Sequence, residues 1–101
     1  MVVVIFRSRL RDDAAPGYAE AAERMLALAR TSPGFVSFRH YAAEDGERCS
    51  VVEFDSEDAV RAFREQAEHR EAQRRGRSDW YAWFRLQTCS VLRETEFELR
   101  P

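Results

Sequence analysis

Lysine is absent from this chain of 101 residues; all 16 of its basic residues are arginine. A planar guanidinium suits bidentate pairing, but GC-rich coding produces the same bias, so the absence by itself assigns no function. Cysteine is scarce. Cys49 and Cys89 lack the C-x-x-C spacing of a zinc or thioredoxin-like site and read as reduced, structural thiols. No apolar run approaches the ~18 residues of a membrane span. The opening VVVIF is too short, and too soon followed by Arg7 and Arg9, to be a secretory signal, so the expected location is cytoplasmic, with no membrane partner. An excess of one charge is also missing. The formal charge of −2 and a pI near 5.7 give no global attraction to phosphate or anionic lipid. There is no Gly-rich phosphate loop and no nucleophile elbow, and neither His40 nor His69 has a carboxylate at metal-ligand spacing. Metal sites are therefore not expected.

What is present suits one small folded domain spanning residues 1–101, at 45% hydrophobic and 34% charged. VVVIFRSRL at 2–10 reads as a strand, apolar on both faces in its first half and so covered on both. From Asp13 the period becomes helical, with Pro16 in the first turn and Tyr18, Ala21, Ala22, Met25, Leu26 and Ala29 on one stripe. TSPG at 31–34 ends that helix. FVSFRHYA at 35–42 and RCSVVEF at 48–54 flank Asp45-Gly46, a hairpin signal. A second helix opens at DSEDAVRAF, with Asp55 or Ser56 as N-cap and Ala59, Val60, Phe63 and Ala67 as its narrow apolar face. Gly76 ends or interrupts the helical region. The remainder, DWYAWFRLQTCSVLRETEF, reads as the last strand, with Trp80, Ala82, Phe84 and Leu86 on one side and Tyr81, Trp83 and Arg85 on the other.

The order β-α-β-β-α-β predicts an α+β, ferredoxin-like split βαβ fold. Right-handed crossovers place both helices on one face of a four-stranded antiparallel sheet. The bare face would then expose more apolar surface than a monomer normally shows, which predicts a homodimer joined through the sheet face. In the usual strand order 4-1-3-2 the first strand separates Cys49 from Cys89 by roughly 9–10 Å, beyond the ~7 Å Cα limit of a disulfide.

Over nearly its whole length the chain resembles the antibiotic biosynthesis monooxygenase domain family of dimeric α+β-barrel proteins. The resemblance lies in the opening VVVIF, SPGFVSF before the second strand, VVEFDSEDAVRAFRE, and EHREAQRRGR ahead of an aromatic strand, with AEHREAQ the most specific piece. It implies a cavity between sheet and helices in which some members oxygenate anthrone or quinol aromatics with molecular oxygen, using no flavin, metal or haem. A related branch binds and cleaves haem through a histidine, an asparagine and a tryptophan. Here Phe63 stands at the tryptophan position and Gln73 at the histidine position, and VIFRSRL has no asparagine.

Within that frame His69 is the candidate base, since an imidazole near its ordinary pKa of ~6.5 accepts protons at neutral pH; a helix-end histidine capping a carbonyl is the plainer reading. Phe63, Trp80, Trp83 and Arg85 are candidate substrate-binding residues, the indoles stacking on a flat ring and Arg85 meeting an enolate or phenolate oxygen. The plainer reading makes the aromatics core or dimer interface and pairs Arg85 with an acid such as Glu53. The arginine run 70, 74, 75 and 77 reads as a solvated helix face rather than a nucleic-acid surface, because RCSVVEF lacks the glycine and spacing of an RNA-binding strand. The implied function is a cofactor-independent monooxygenase acting on a small aromatic with O2. A non-catalytic ligand-binding or stress-associated dimer, and a haem-binding or haem-degrading protein, are the alternatives.

Overall fold

The computed structural model describes residues 1–100, apart from the side chains at positions 67 and 68. The elements run β1 (Val2–Leu10), α1 (Tyr18–Arg30), β2 (Phe35–Ala42), β3 (Arg48–Phe54), α2 (Glu57–Arg64), α3 (Ala67–Arg75), a π-helical turn (Gly76–Trp80) and β4 (Tyr81–Ser90). They build one antiparallel sheet in the order β2-β3-β1-β4. This is the expected ferredoxin-like arrangement.

Several local reasons are visible. Gly17, at φ 99°, takes a left-handed conformation that leaves Pro16 outside α1, so the helix starts at Tyr18 and not within the earlier DDAAP segment. Gly46 at φ 92° turns the β2–β3 hairpin. Ser56 caps α2, its hydroxyl accepting from the Ala59 amide at 3.1 Å, and Glu57 and Asp58 occupy the first turn, where the helix dipole favours acids. The expected second helix is divided: α2 stops at Arg64, α3 follows, and its last turn widens into the π-helix. Ala67, expected on the apolar face of α2, lies outside the described side chains.

Strand β4 differs from its simple alternation. It ends at Ser90, and residues 91–100 carry no strand pairing. Near its start the register shifts between Arg9 and Leu10, so that Arg9 faces Trp83 but Leu10 faces Tyr81. One residue is thereby taken up in a bulge, and Tyr81 turns to the side of Phe84, its ring 5.9 Å away. The expectation that Tyr81 shares a face with Trp83 is corrected accordingly.

The helices cover the side of the sheet carrying Val4, Phe6, Val52, Phe54, Phe84 and Leu86. Val2, Phe54 and Val60 are buried together there, with Phe35 and Phe63 against them. The opposite face carries Val3, Ile5 and Arg7 of β1, beside Glu53, Val51 and Cys49 of β3 and Cys89, Gln87 and Arg85 of β4. Both cysteines are free, on strands separated by β1.

Candidate active site

Between the sheet and the three helices lies a partly open cavity of about 220 Å³. That exceeds the ~150 Å³ that encloses a single benzene ring. Its floor includes Val4, Phe6, Val52 and Leu86, and its roof Ala22, Met25 and Leu26 of α1, Phe63 of α2, and His69 and Gln73 of α3. The lining is overwhelmingly apolar, so a polar group within it must be recognised by the few polar side chains that reach the wall.

Those polar groups fall into two clusters. In the first, the His69 ring lies 4.4 Å from the ring of Phe63, centroid to centroid, and Phe63 leans on Phe54 at 5.7 Å. Burial lowers the His69 pKa; the Arg64 backbone opposes this in part, and the Arg64 charge adds to it. The imidazole is thus neutral at pH 7. In the second cluster the Tyr81 hydroxyl donates to that of Tyr18 at 3.3 Å. Tyr18 meets Trp80 and Tyr81 edge-on, at 5.6 and 5.7 Å, and the Arg48 guanidinium stands 5.4 Å from the centre of the Tyr18 ring. Burial first, and then the contact with Tyr18, raise the Tyr81 pKa, so Tyr81 remains a phenol and a donor.

Trp80 is 2% exposed. Arg75 stacks on its ring at 4.6 Å and is held by Asp79 at 3.2 Å. The hydrogen bond from Ser78, and after it that from Arg75, lower the Asp79 pKa. Among the described residues, His69 Nδ1, Trp80 Nε1 and Arg48 Nε are buried with no hydrogen-bond partner in the chain.

Of the residues expected at a site, Phe63, His69 and Trp80 come together on this cavity. Trp83 and Arg85 do not. Arg85 lies opposite Arg7, and Trp83 opposite Arg9, on the face turned away from the helices. Glu53, the expected partner of Arg85, instead accepts a hydrogen bond from Ser37, and among the described residues no ion pair reaches Arg85. His40 is exposed, 3.3 Å from the Ser50 hydroxyl. Tyr18 and Tyr81 also line the cavity, without a sequence signal for a site role. Tyr18 is one member of an apolar stripe, and the bulge that redirects Tyr81 leaves no signal in its own residues.

A four-stranded antiparallel sheet with its helices on one face and an apolar cavity between the layers defines an α+β, ferredoxin-like domain. The chain belongs to the antibiotic biosynthesis monooxygenase family, whose model matches residues 1–75. It is 37% identical over 95 residues to the Bacillus subtilis protein YqjZ, covering 94% of this chain and 82% of that protein. Among solved structures it is similar to Rv0793 from Mycobacterium tuberculosis, with a TM-score of 0.81 at 21% identity, covering 94% of this chain and 98% of that one. It is also similar to SnoaB, a cofactor-independent oxygenase from Streptomyces nogalater, with a TM-score of 0.77 at 18% identity over 96% and 97% of the two chains. Among the described residues no helix is long and apolar enough to cross a membrane, and no three His, Cys, Asp or Glu side chains gather as a metal-binding group.

Proposed function

We propose that this chain is a homodimeric, cofactor-independent monooxygenase that oxidises a small polycyclic or quinol-like aromatic with molecular oxygen in the helix-side cavity. The observation that carries the reading is a half-buried His69 on the wall of an otherwise apolar chamber, stacked against Phe63, within a family of monooxygenases. An apolar, water-poor site favours a flat aromatic, and a neutral imidazole can take a proton from an activated CH2 or hydroxyl. The electron-rich anion passes one electron to O2, and the radical pair combines to form a C–O bond. For a CH2 carbon, the resulting hydroperoxide loses water to leave a carbonyl. One oxygen atom ends in the product and the other in water, with no external reductant. Phe63 and Trp80 shape the chamber, and the Tyr18–Tyr81 hydroxyl pair is placed to donate to an oxygen of the substrate. Trp83 and Arg85 belong to the sheet face through which the dimer forms.

Haem fits this chamber poorly. The volume lies below the ~300 Å³ at which pockets begin to take drug-sized ligands, and the His69 ring is in contact with Phe63. The experiment is oxygen uptake with a panel of anthrones and hydroquinones. One member should be turned over, and His69→Ala should lower kcat by about 10²-fold or more. Saturable binding of panel members with no oxygen consumed above the autoxidation control would sink the enzyme reading in favour of a ligand-binding dimer.

A further inference from the structure

We infer that Arg48, with the hydroxyl pair of Tyr18 and Tyr81, forms an anion subsite at one end of the chamber, and that the molecule bound there is an aromatic carrying a carboxylate at the end remote from His69. The inference deepens the function proposed above and rests on the chamber being the substrate site.

The alternation of β3 sets the placement. Arg48, Ser50, Val52 and Phe54 fall on one face of that strand, and the last three line the chamber. Phe54 marks the end at which Phe63 and His69 are stacked. Arg48 begins the strand, about 20 Å away along it at the usual rise per residue. Its guanidinium stands just behind the wall, 5.4 Å from the centre of the Tyr18 ring, and Tyr18, Tyr81 and Ser50 carry the wall itself at that end.

The charge of Arg48 is unanswered within the chain. The acids of the neighbouring hairpin are engaged elsewhere: Glu47 holds Arg7 at 2.7 Å and Asp45 holds Arg9 at 3.3 Å. Among the described residues no ion pair reaches Arg48, and its Nε is buried with no hydrogen-bond partner in the chain. Its charge bears on His40, where it adds to burial in lowering the pKa, and on Tyr81, where it opposes the larger effect of burial. Neither supplies a negative charge. A half-buried guanidinium without a counter-ion, at the wall of an apolar cavity, suits the carboxylate of a ligand, because charge-assisted hydrogen bonds gain strength where water is scarce. The Tyr81 hydroxyl donates to Tyr18 at 3.3 Å, which leaves the Tyr18 proton to donate to the same carboxylate. Since this end of the chamber is remote from His69, the anion is held alike before and during proton transfer. Arg48 is accordingly a specificity residue, whose loss raises KM for an acidic substrate and leaves kcat in place.

Tryptophan-fluorescence titration of the full chain with 2-naphthoate, and with 2-naphthamide as its neutral relative of nearly the same shape, tests this. The wild type should bind the naphthoate roughly ten-fold more tightly. Arg48→Gln should remove that preference while leaving naphthamide affinity within about two-fold, and Arg48→Lys, which keeps the charge without the planar fork, should retain part of it. Circular dichroism confirms that each variant folds. Equal affinity of the wild type for the two ligands would overturn the inference. So would an Arg48→Gln protein that loses both ligands alike, since Arg48 would then be a structural support of Tyr18. A wild type that binds neither ligand would instead sink the reading of the chamber as an aromatic site, on which the inference rests.

Discussion

At the scale of single residues, His69 is kept neutral by its surroundings, and the thermodynamic consequence has a definite sign. Its folded pKa lies below the ordinary value because of burial, so below about pH 6.5 the unfolded chain binds the proton more readily than the folded one. Stability is full above that pH, declines as the pH falls towards the depressed folded value, and levels off once the folded imidazole also protonates. His40 is depressed in the same direction, by burial and then by Arg48, but it is exposed and contributes weakly. Between pH 7 and 5, thermal denaturation should therefore show a falling Tm in the wild type and a flatter dependence in His69→Gln. An equal slope in both proteins would remove the His69 imidazole from the explanation. Phe54 is the second residue with a sharp expectation. At 1% exposure, in contact with Phe35 and Phe63, its truncation to alanine should cost about 3–5 kcal/mol in urea denaturation.

At the scale of elements, the passage from α1 to β2 and α2 depends on one glycine. Gly34 sits at φ 85°, and a Cβ there would come within 2.5 Å of Asp55 Oδ1 and 2.6 Å of the Ala59 Cβ, while its carbonyl accepts from the Asp55 amide at 2.8 Å. Gly34→Ala should therefore destabilise by more than about 1 kcal/mol, through both the left-handed backbone and the clash with α2. Ser56→Ala, which removes only the α2 cap, should cost about 1 kcal/mol. Chemical denaturation of the two variants ranks the effects, and a Gly34→Ala loss no larger than that of Ser56→Ala would contradict the crowding argument. This junction was legible in the sequence as TSPG followed by DSEDAV, because glycine, proline and a capping serine carry their conformational meaning locally. The bulge at Arg9 and Leu10 was not. It arises from pairing between β1 and β4, 70 or more residues apart, and nothing in AWFRL marks Ala82 as the residue to be skipped. For the same reason the candidate site was read in part. Phe63 follows from helix spacing and His69 from the chemistry of its side chain, whereas Tyr81 and the placing of Trp83 and Arg85 away from the chamber follow from register, which one residue inverts.

At the scale of the whole molecule, the sheet separates two tasks. Its helix side encloses the chamber, while its other side presents Val3, Ile5, Val51 and Trp83 among arginines, of which Arg7 is neutralised by Glu47 at 2.7 Å. Arg85 lies directly opposite Arg7, and among the described residues no ion pair reaches Arg85 itself. Such a surface is better satisfied by a partner's acids and apolar groups than by water. The division predicts that the two faces can be perturbed independently. Trp83, 38% exposed, is the side chain that tells most, since stacking on a substrate and burial in a dimer seam make opposite demands of it. Trp83→Glu should weaken dimerisation by roughly ten-fold or more, as expected for an aromatic near the centre of an interface. Binding of 2-naphthol to the chamber, followed by tryptophan quenching of the remaining Trp80, should change by less than about two-fold, because Trp80 lines the chamber from the π-helical turn whereas Trp83 lies on the face turned away from the helices, and independent sites behave additively. Phe63→Ala should do the reverse, altering naphthol binding while leaving the dimer intact. If Trp83→Glu abolished binding while leaving the dimer unchanged, Trp83 would belong to the chamber and the register at Arg9 and Leu10 would have to be reassigned.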